Sequence, residues 1–139
     1  MASYNKFQQF VEDLGKGVHQ LHAAGHTLKV YLSNAVPSAS ADAVKTDLAE
    51  ITNQNGYTAP VDIQNDYTRT GGTASLTAVD VVVTATGAVG PFQYVAIYND
   101  TPTSPVDPLI CWFDYGTPLT LASGETFTVD FGASLFTLA

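Results

Sequence analysis

Three histidines, His19, His22 and His26, come nearest to a metal-ligating group in this 139-residue chain. Imidazoles three apart on a helix, as His19 and His22 would be, can share an ion. Helical projection puts them opposite the apolar stripe, and His26 follows Gly25, beyond the expected helix end. Structural zinc sites take four ligands, so the better reading is solvent-facing groups near a helix C-terminus. Carboxylate chemistry has one candidate, Asp114, which interrupts an aromatic strand. Glycoside hydrolysis needs two acids held in different protonation states, and no second acid stands out as its partner. Cys111 sits between Ile110 and Trp112 with no Lys or Arg from Thr70 to Ala139, a setting that does not generate a thiolate. Neither Gly71-Gly72 nor Gly87-Ala-Val-Gly90 is followed by the lysine or dinucleotide pattern of a phosphate loop, and no Gly-x-Ser-x-Gly elbow occurs. The residues therefore nominate no catalytic, cofactor-binding or metal-binding group.

The aromatic row Phe92, Tyr94, Tyr98, Trp112, Phe113 and Tyr115 is the remaining candidate. Aromatics on alternating strands can stack on sugars, but they more often form a core or an interface. Asn99-Asp-Thr101 matches a glycosylation acceptor pattern, which carries little weight without a secretory signal. The N-terminal ten residues show no apolar h-region.

These groups must be positioned by a mainly β chain. Residues 4–24 are expected to form one amphipathic helix, with Ser3 as N-cap and Tyr4, Phe7, Phe10, Val11, Leu14, Val18 and Leu21 at spacings of three and four. Gly15 and Gly17 weaken it, and Gly25 suits its end. The period then changes to two: Leu28, Val30 and Leu32 face one way along a strand. A loop over 34–41, a short helical turn within 43–51 and turns at 53–56 and 71–72 follow. Strands are expected over 75–85, with Val79, Val81 and Val83 on one face, then over 92–98, 109–115, 119–121, 126–131 and 135–138. Along 92–98, Phe92, Tyr94, Ala96 and Tyr98 should share a face. Strands at this spacing, punctuated by Gly, Pro and Asn, imply an antiparallel β-sandwich or jelly-roll-like barrel over about 27–139, with one N-terminal amphipathic helix, in a single domain over 1–139.

Composition narrows the function class. The net charge is −8 and the charged fraction only 13%, so neither nucleic acid nor an anionic membrane surface is an expected partner. All five basic residues, Lys6, Lys16, Lys29, Lys45 and Arg69, precede Thr70, whereas the rest of the chain holds six acids. A neutral surface this poor in charge is well suited to being covered. The second half reads as scaffold and the first as the half that docks.

Three segments, Gly90-Pro-Phe-Gln-Tyr-Val-Ala-Ile-Tyr-Asn-Asp-Thr101, Pro108-Leu-Ile-Cys-Trp-Phe-Asp-Tyr-Gly116 and Ser123-Gly-Glu-Thr-Phe-Thr-Val-Asp-Phe131, resemble small structural proteins of tailed bacteriophages. Leu28-Lys-Val-Tyr-Leu-Ser-Asn34, Pro37-Ser-Ala and Ile51-Thr-Asn-Gln-Asn-Gly-Tyr-Thr58 fit the same pattern. The resemblance implies a non-enzymatic virion component without cofactors, foremost a head decoration (cement) protein. Such a protein assembles in the host cytoplasm and reinforces the capsid as a trimer or other symmetric oligomer, against the major capsid protein or another virion protein. Phe7, Phe10, Tyr94, Tyr98, Trp112 and Tyr115 are the expected contacts. A tail or fibre component, or a carbohydrate-binding β-sandwich, is the alternative.

Overall fold

A computed structural model describes residues 2–139. Its frame is a five-stranded antiparallel sheet built from β1 (Asn5–Lys6), β2 (Leu28–Ser33), β3 (Val61–Asp62), β7 (Val89–Asn99) and β8 (Leu109–Leu121), in the order β1-β8-β7-β2-β3. A second sheet orders β4 (Asp66–Thr70), β5 (Thr73–Thr77) and β10 (Phe136–Leu138) as β10-β5-β4, and β6 (Val81–Thr84) pairs with β9 (Thr126–Val129). All pairings are antiparallel, and the layers pack as a sandwich. The mainly β expectation and the single helix near the N-terminus hold.

The helix is shorter than its periodicity implies. α1 spans only Gln8–Gly15, and Asn5–Lys6 before it is a strand against Cys111 and Trp112. Phe7, in an extended conformation, takes the N-cap position in place of Ser3 and makes no side-chain cap bond. Gly17 has φ +77, a left-handed conformation that stops the helix where a β-carbon would be strained. The following segment is held by hydrogen bonds from elsewhere. Asn65 donates through Nδ2 to the Leu21 carbonyl (2.8 Å) and the His26 carbonyl (3.1 Å), and its Oδ1 accepts from the Leu28 N–H (3.0 Å). The Ala23 N–H donates to Asp66 Oδ1 at 3.1 Å. With these partners the backbone needs no helical ladder, and Leu21 still reaches the core.

Alternation places side chains of the central sheet on two faces. Leu28, Val30, Leu32, Val95 and Ile97 join the larger core, closed by Leu76, Val83, Val129 and Phe131 of the opposing layer. Tyr31, Ala96 and Tyr98 face the other way, into a smaller core with Phe7, Leu48 and Leu109, to which Trp112 is packed. A loop containing one 3₁₀ turn (Lys45–Asp47) covers this second face.

Two expectations about strands change. The stretch 75–85 is two strands in different sheets, and Val79 between them is exposed. Phe92 does not share a face with Tyr94, because the ladder slips between them. Phe92 is opposite Leu119 and Tyr94 opposite Asp114, so Gln93 alone faces Tyr115, Gly116, Thr117 and Pro118. This bulge inverts the phase of the strand: Phe92 enters the larger core, and Tyr94 stays on the other side. A second slip lies at Gly90, whose φ is +134 and where a β-carbon would come within 2.6 Å of the Leu119 carbonyl oxygen.

Candidate functional site

The fold separates the expected contact residues. Phe7, Phe10, Tyr94 and Tyr98 are buried within their own chain, so they offer no side-chain surface to a partner. Burial follows from their strand and helix phase: Phe7 packs on Trp112 at a centroid distance of 4.7 Å, Phe10 on Phe136 at 5.8 Å, and Tyr98 on Tyr31 at 5.8 Å. Trp112 is half-buried, and Tyr115, 51% exposed, is the member of the set most open to solvent. Because Trp112 and Phe113 point to opposite faces of β8, the row does not form one platform for a sugar.

An aromatic cavity of about 400 Å³ opens instead where β8, β9 and the N-terminal segment meet. Its walls include Tyr4, Phe113, Tyr115, Phe127 and Phe131, and among the described residues Asp130 is the one charged residue in the lining. Tyr4 meets Phe113 edge-on at 6.1 Å, and Tyr115 meets Phe127 edge-on at 5.8 Å. Alternation along β8 puts Tyr115 on the face of Cys111 and Phe113, and the ladder to β7 slips directly after Asp114. Asp114 holds the bend by accepting from the Gly116 N–H (2.7 Å) and from Gln93 Nε2 (3.0 Å). Asp114 is thus a turn residue. Asp130 accepts from the Gly132 N–H at 2.8 Å, and burial raises the Tyr4 hydroxyl far above its ordinary range.

Sequence reasoning did not single out Phe127, Phe131 or Asp130, and it assigned Tyr4 to a helix. The available signal was period two: in Thr126-Phe-Thr-Val-Asp-Phe131, alternate residues Phe127, Val129 and Phe131 turn inward.

The histidines are arranged otherwise than a solvent-facing helix predicts. His19 is buried, lying edge-on to Phe10 at 5.1 Å. Asn99, fully buried, donates through Nδ2 to His19 Nδ1 and to His26 Nδ1, both at 3.0 Å, while its Oδ1 accepts from the Thr101 N–H. The Gln20 N–H also donates to His26 Nδ1, at 3.2 Å. Both imidazoles must therefore be acceptors at Nδ1 and carry their proton on Nε2. Burial pushes the His19 pKa down to about 4, against an upward pull from Asp13. Among the described residues no three His, Cys, Asp or Glu side chains converge as a metal site. Cys111 is completely buried, and burial raises its thiol pKa well above the usual range, leaving an inert core residue.

On the second face, Lys45 sits 4.8 Å from the centre of the Tyr31 ring and 5.6 Å from that of Tyr98, with Glu50 at 3.0 Å. Lys29 pairs with Asp100 at 2.8 Å, and Lys16 pairs with Glu12 on α1. Three of the five cations are thus paired within the chain, Lys29 and Lys45 partly buried and Lys16 exposed on α1. Burial and the neighbouring Asp100 raise the Asp107 carboxyl, whereas the N–H groups of Ala43 and Val44 hold the Asp47 carboxyl low.

No helix among the described residues is long and apolar enough to cross a membrane. No protein-family model, curated protein or solved structure matches the chain.

Proposed function

We propose that this chain is a structural component of a tailed-phage particle, of the head-decoration kind, working by association and not by catalysis. The observation that carries the reading is the outer half of β8. Among the described residues, the strand beyond Trp112 has no neighbour on its outer side, since β1 pairs only with Cys111 and Trp112. Asp114, Tyr115, Gly116, Thr117, Pro118 and Thr120 are exposed there, and only Asp114 is charged. A neutral, rigidly framed strip beside an aromatic cavity has the composition of surface that a partner covers. Standard interfaces bury roughly 800 Å² on each side, so a partner would cover this strip together with the surface around it. The partner is another copy, the major capsid protein or another virion protein.

The test is to look for the chain in purified particles. Mass spectrometry should find it at a fixed stoichiometry, and cryo-electron microscopy should place it on the outside of the head with the Tyr115 strip covered. Its absence from particles overturns the virion reading, and density confined to the tail transfers it to a tail component.

A further inference from the structure

We propose that the aromatic cavity between β8, β9 and the N-terminal segment binds a compact organic cation, a tertiary or quaternary alkylammonium group. The volume, about 400 Å³, lies within the range of small-molecule sites, which begin near ~300 Å³. The walls supply aromatic rings on two sides: the Tyr4–Phe113 pair from β8 and the N-terminus, and the Tyr115–Phe127 pair from β8 and β9. Ring faces carry the negative part of the aromatic quadrupole, so such a setting favours a weakly hydrated cation.

Charge points the same way. Asp130 is the lining's one ionisable carboxylate, it forms no ion pair among the described residues, and no Lys or Arg lines the cavity. Its oxygen Oδ1 takes the Gly132 N–H, which fixes the carboxylate without neutralising it. An anionic ligand would meet both this carboxylate and the π-faces. A sugar would find few hydrogen-bonding groups among Phe113, Phe127 and Phe131. A neutral apolar ligand would fit the walls but leave the carboxylate unmatched. An alkylammonium group satisfies both, with methyl groups against the rings and its charge offset by Asp130, which is solvent-exposed at the cavity rim.

Choline and dimethylbutanol form a matched pair of probes, because the second replaces trimethylammonium by a neutral tert-butyl group of the same shape. Aromatic proton–carbon NMR spectra of the full chain, titrated with each, should show Tyr115 and Phe127 ring signals moving with choline at millimolar concentrations. Choline should bind at least about fivefold tighter than the alcohol, the ratio that about 1 kcal/mol of cation–π attraction produces. D130N keeps an acceptor for the Gly132 N–H and should weaken choline severalfold while leaving the alcohol unchanged. Y115A, at an exposed position, should weaken choline with the fold intact. Equal affinity for the two probes overturns the proposal, as do ring signals that stay still up to about 100 mM choline.

Discussion

On one face of the central sheet, Val30, Val95 and Ile97 meet an opposing layer of strands; on the other, Tyr31, Tyr98 and Leu109 meet a loop. The first face has the larger core, yet it is the one that leaves a cavity, at the end where Phe113 and Tyr115 face β9. The second has few apolar residues and is closed by Lys45 over two tyrosine rings and by Leu48, whose carbonyl accepts the Tyr31 hydroxyl at 2.9 Å. Polar groups with fixed geometry can finish a small core completely, because each partner has one place to sit. Rigid aromatic rings on two twisted layers cannot always interdigitate, and the gap they leave is available to a ligand.

The contrast can be broken most directly at Phe92, which the bulge delivers into the larger core. F92A should cost about 3–5 kcal/mol in denaturant unfolding, as expected for truncating a buried Phe. A loss under about 1 kcal/mol would mean that this face is not the main source of stability.

The next effect is in pH. His19 has an ordinary value of 6.5 unfolded and about 4 in the folded chain, so between these values only the unfolded chain takes up the proton. Stability should therefore fall as pH drops from about 6.5 to about 4, by up to ~3 kcal/mol from this residue. Asp13 and His26 are the titratable neighbours that act on it, so the difference between the wild-type and H19Q pH profiles isolates the term. Parallel profiles would show that His19 has the same pKa in the folded and unfolded states.

Removing the cation from the second face should cost less. K45M keeps the aliphatic stem over Tyr31 and Tyr98 but loses the pair with Glu50, and about 1–2 kcal/mol is expected from thermal unfolding. No change would mean that apolar packing alone closes this face. The smallest effect should come from Y115A, within about 0.5 kcal/mol, because its side chain stands half in solvent. Near-zero cost there, alongside a large cost at Phe92, would separate the cavity rim from the core that frames it.

The strands were legible where alternation was strong. Leu28, Val30 and Leu32 on one face, and the terminal strand near Phe136, follow directly from period two. β4 was not legible because only Tyr67 of Asp66-Tyr-Thr-Arg-Thr70 packs on the core, and the strand is held by pairing with β5. The helix was overextended for the opposite reason: Leu21 keeps helical spacing but reaches the core from a loop tied down by Asn65, forty-four residues away. Of the candidate site, Tyr115 and Phe113 were visible as exceptional aromatics. Tyr4, Phe127, Phe131 and Asp130 join them only where β8, the β9 region and the N-terminal segment meet, a juxtaposition that no local pattern encodes. Likewise, the buried Asn99–His19–His26 node assembles from distant segments, so histidine spacing alone gave the wrong environment.

The bulge at Tyr115–Pro118 has one more consequence, for the way copies of this chain can meet. An open strand edge is a template on which identical chains can stack into fibrils, and neutral, threonine-rich segments are prone to it. Here the edge is interrupted where it would otherwise be longest: the backbone swings out of the ladder, and Pro118 has no N–H to donate. A neighbour can be recognised through side chains but cannot zip on strand by strand. At this edge, a sparsely charged protein is thereby guarded against open-ended addition of strands.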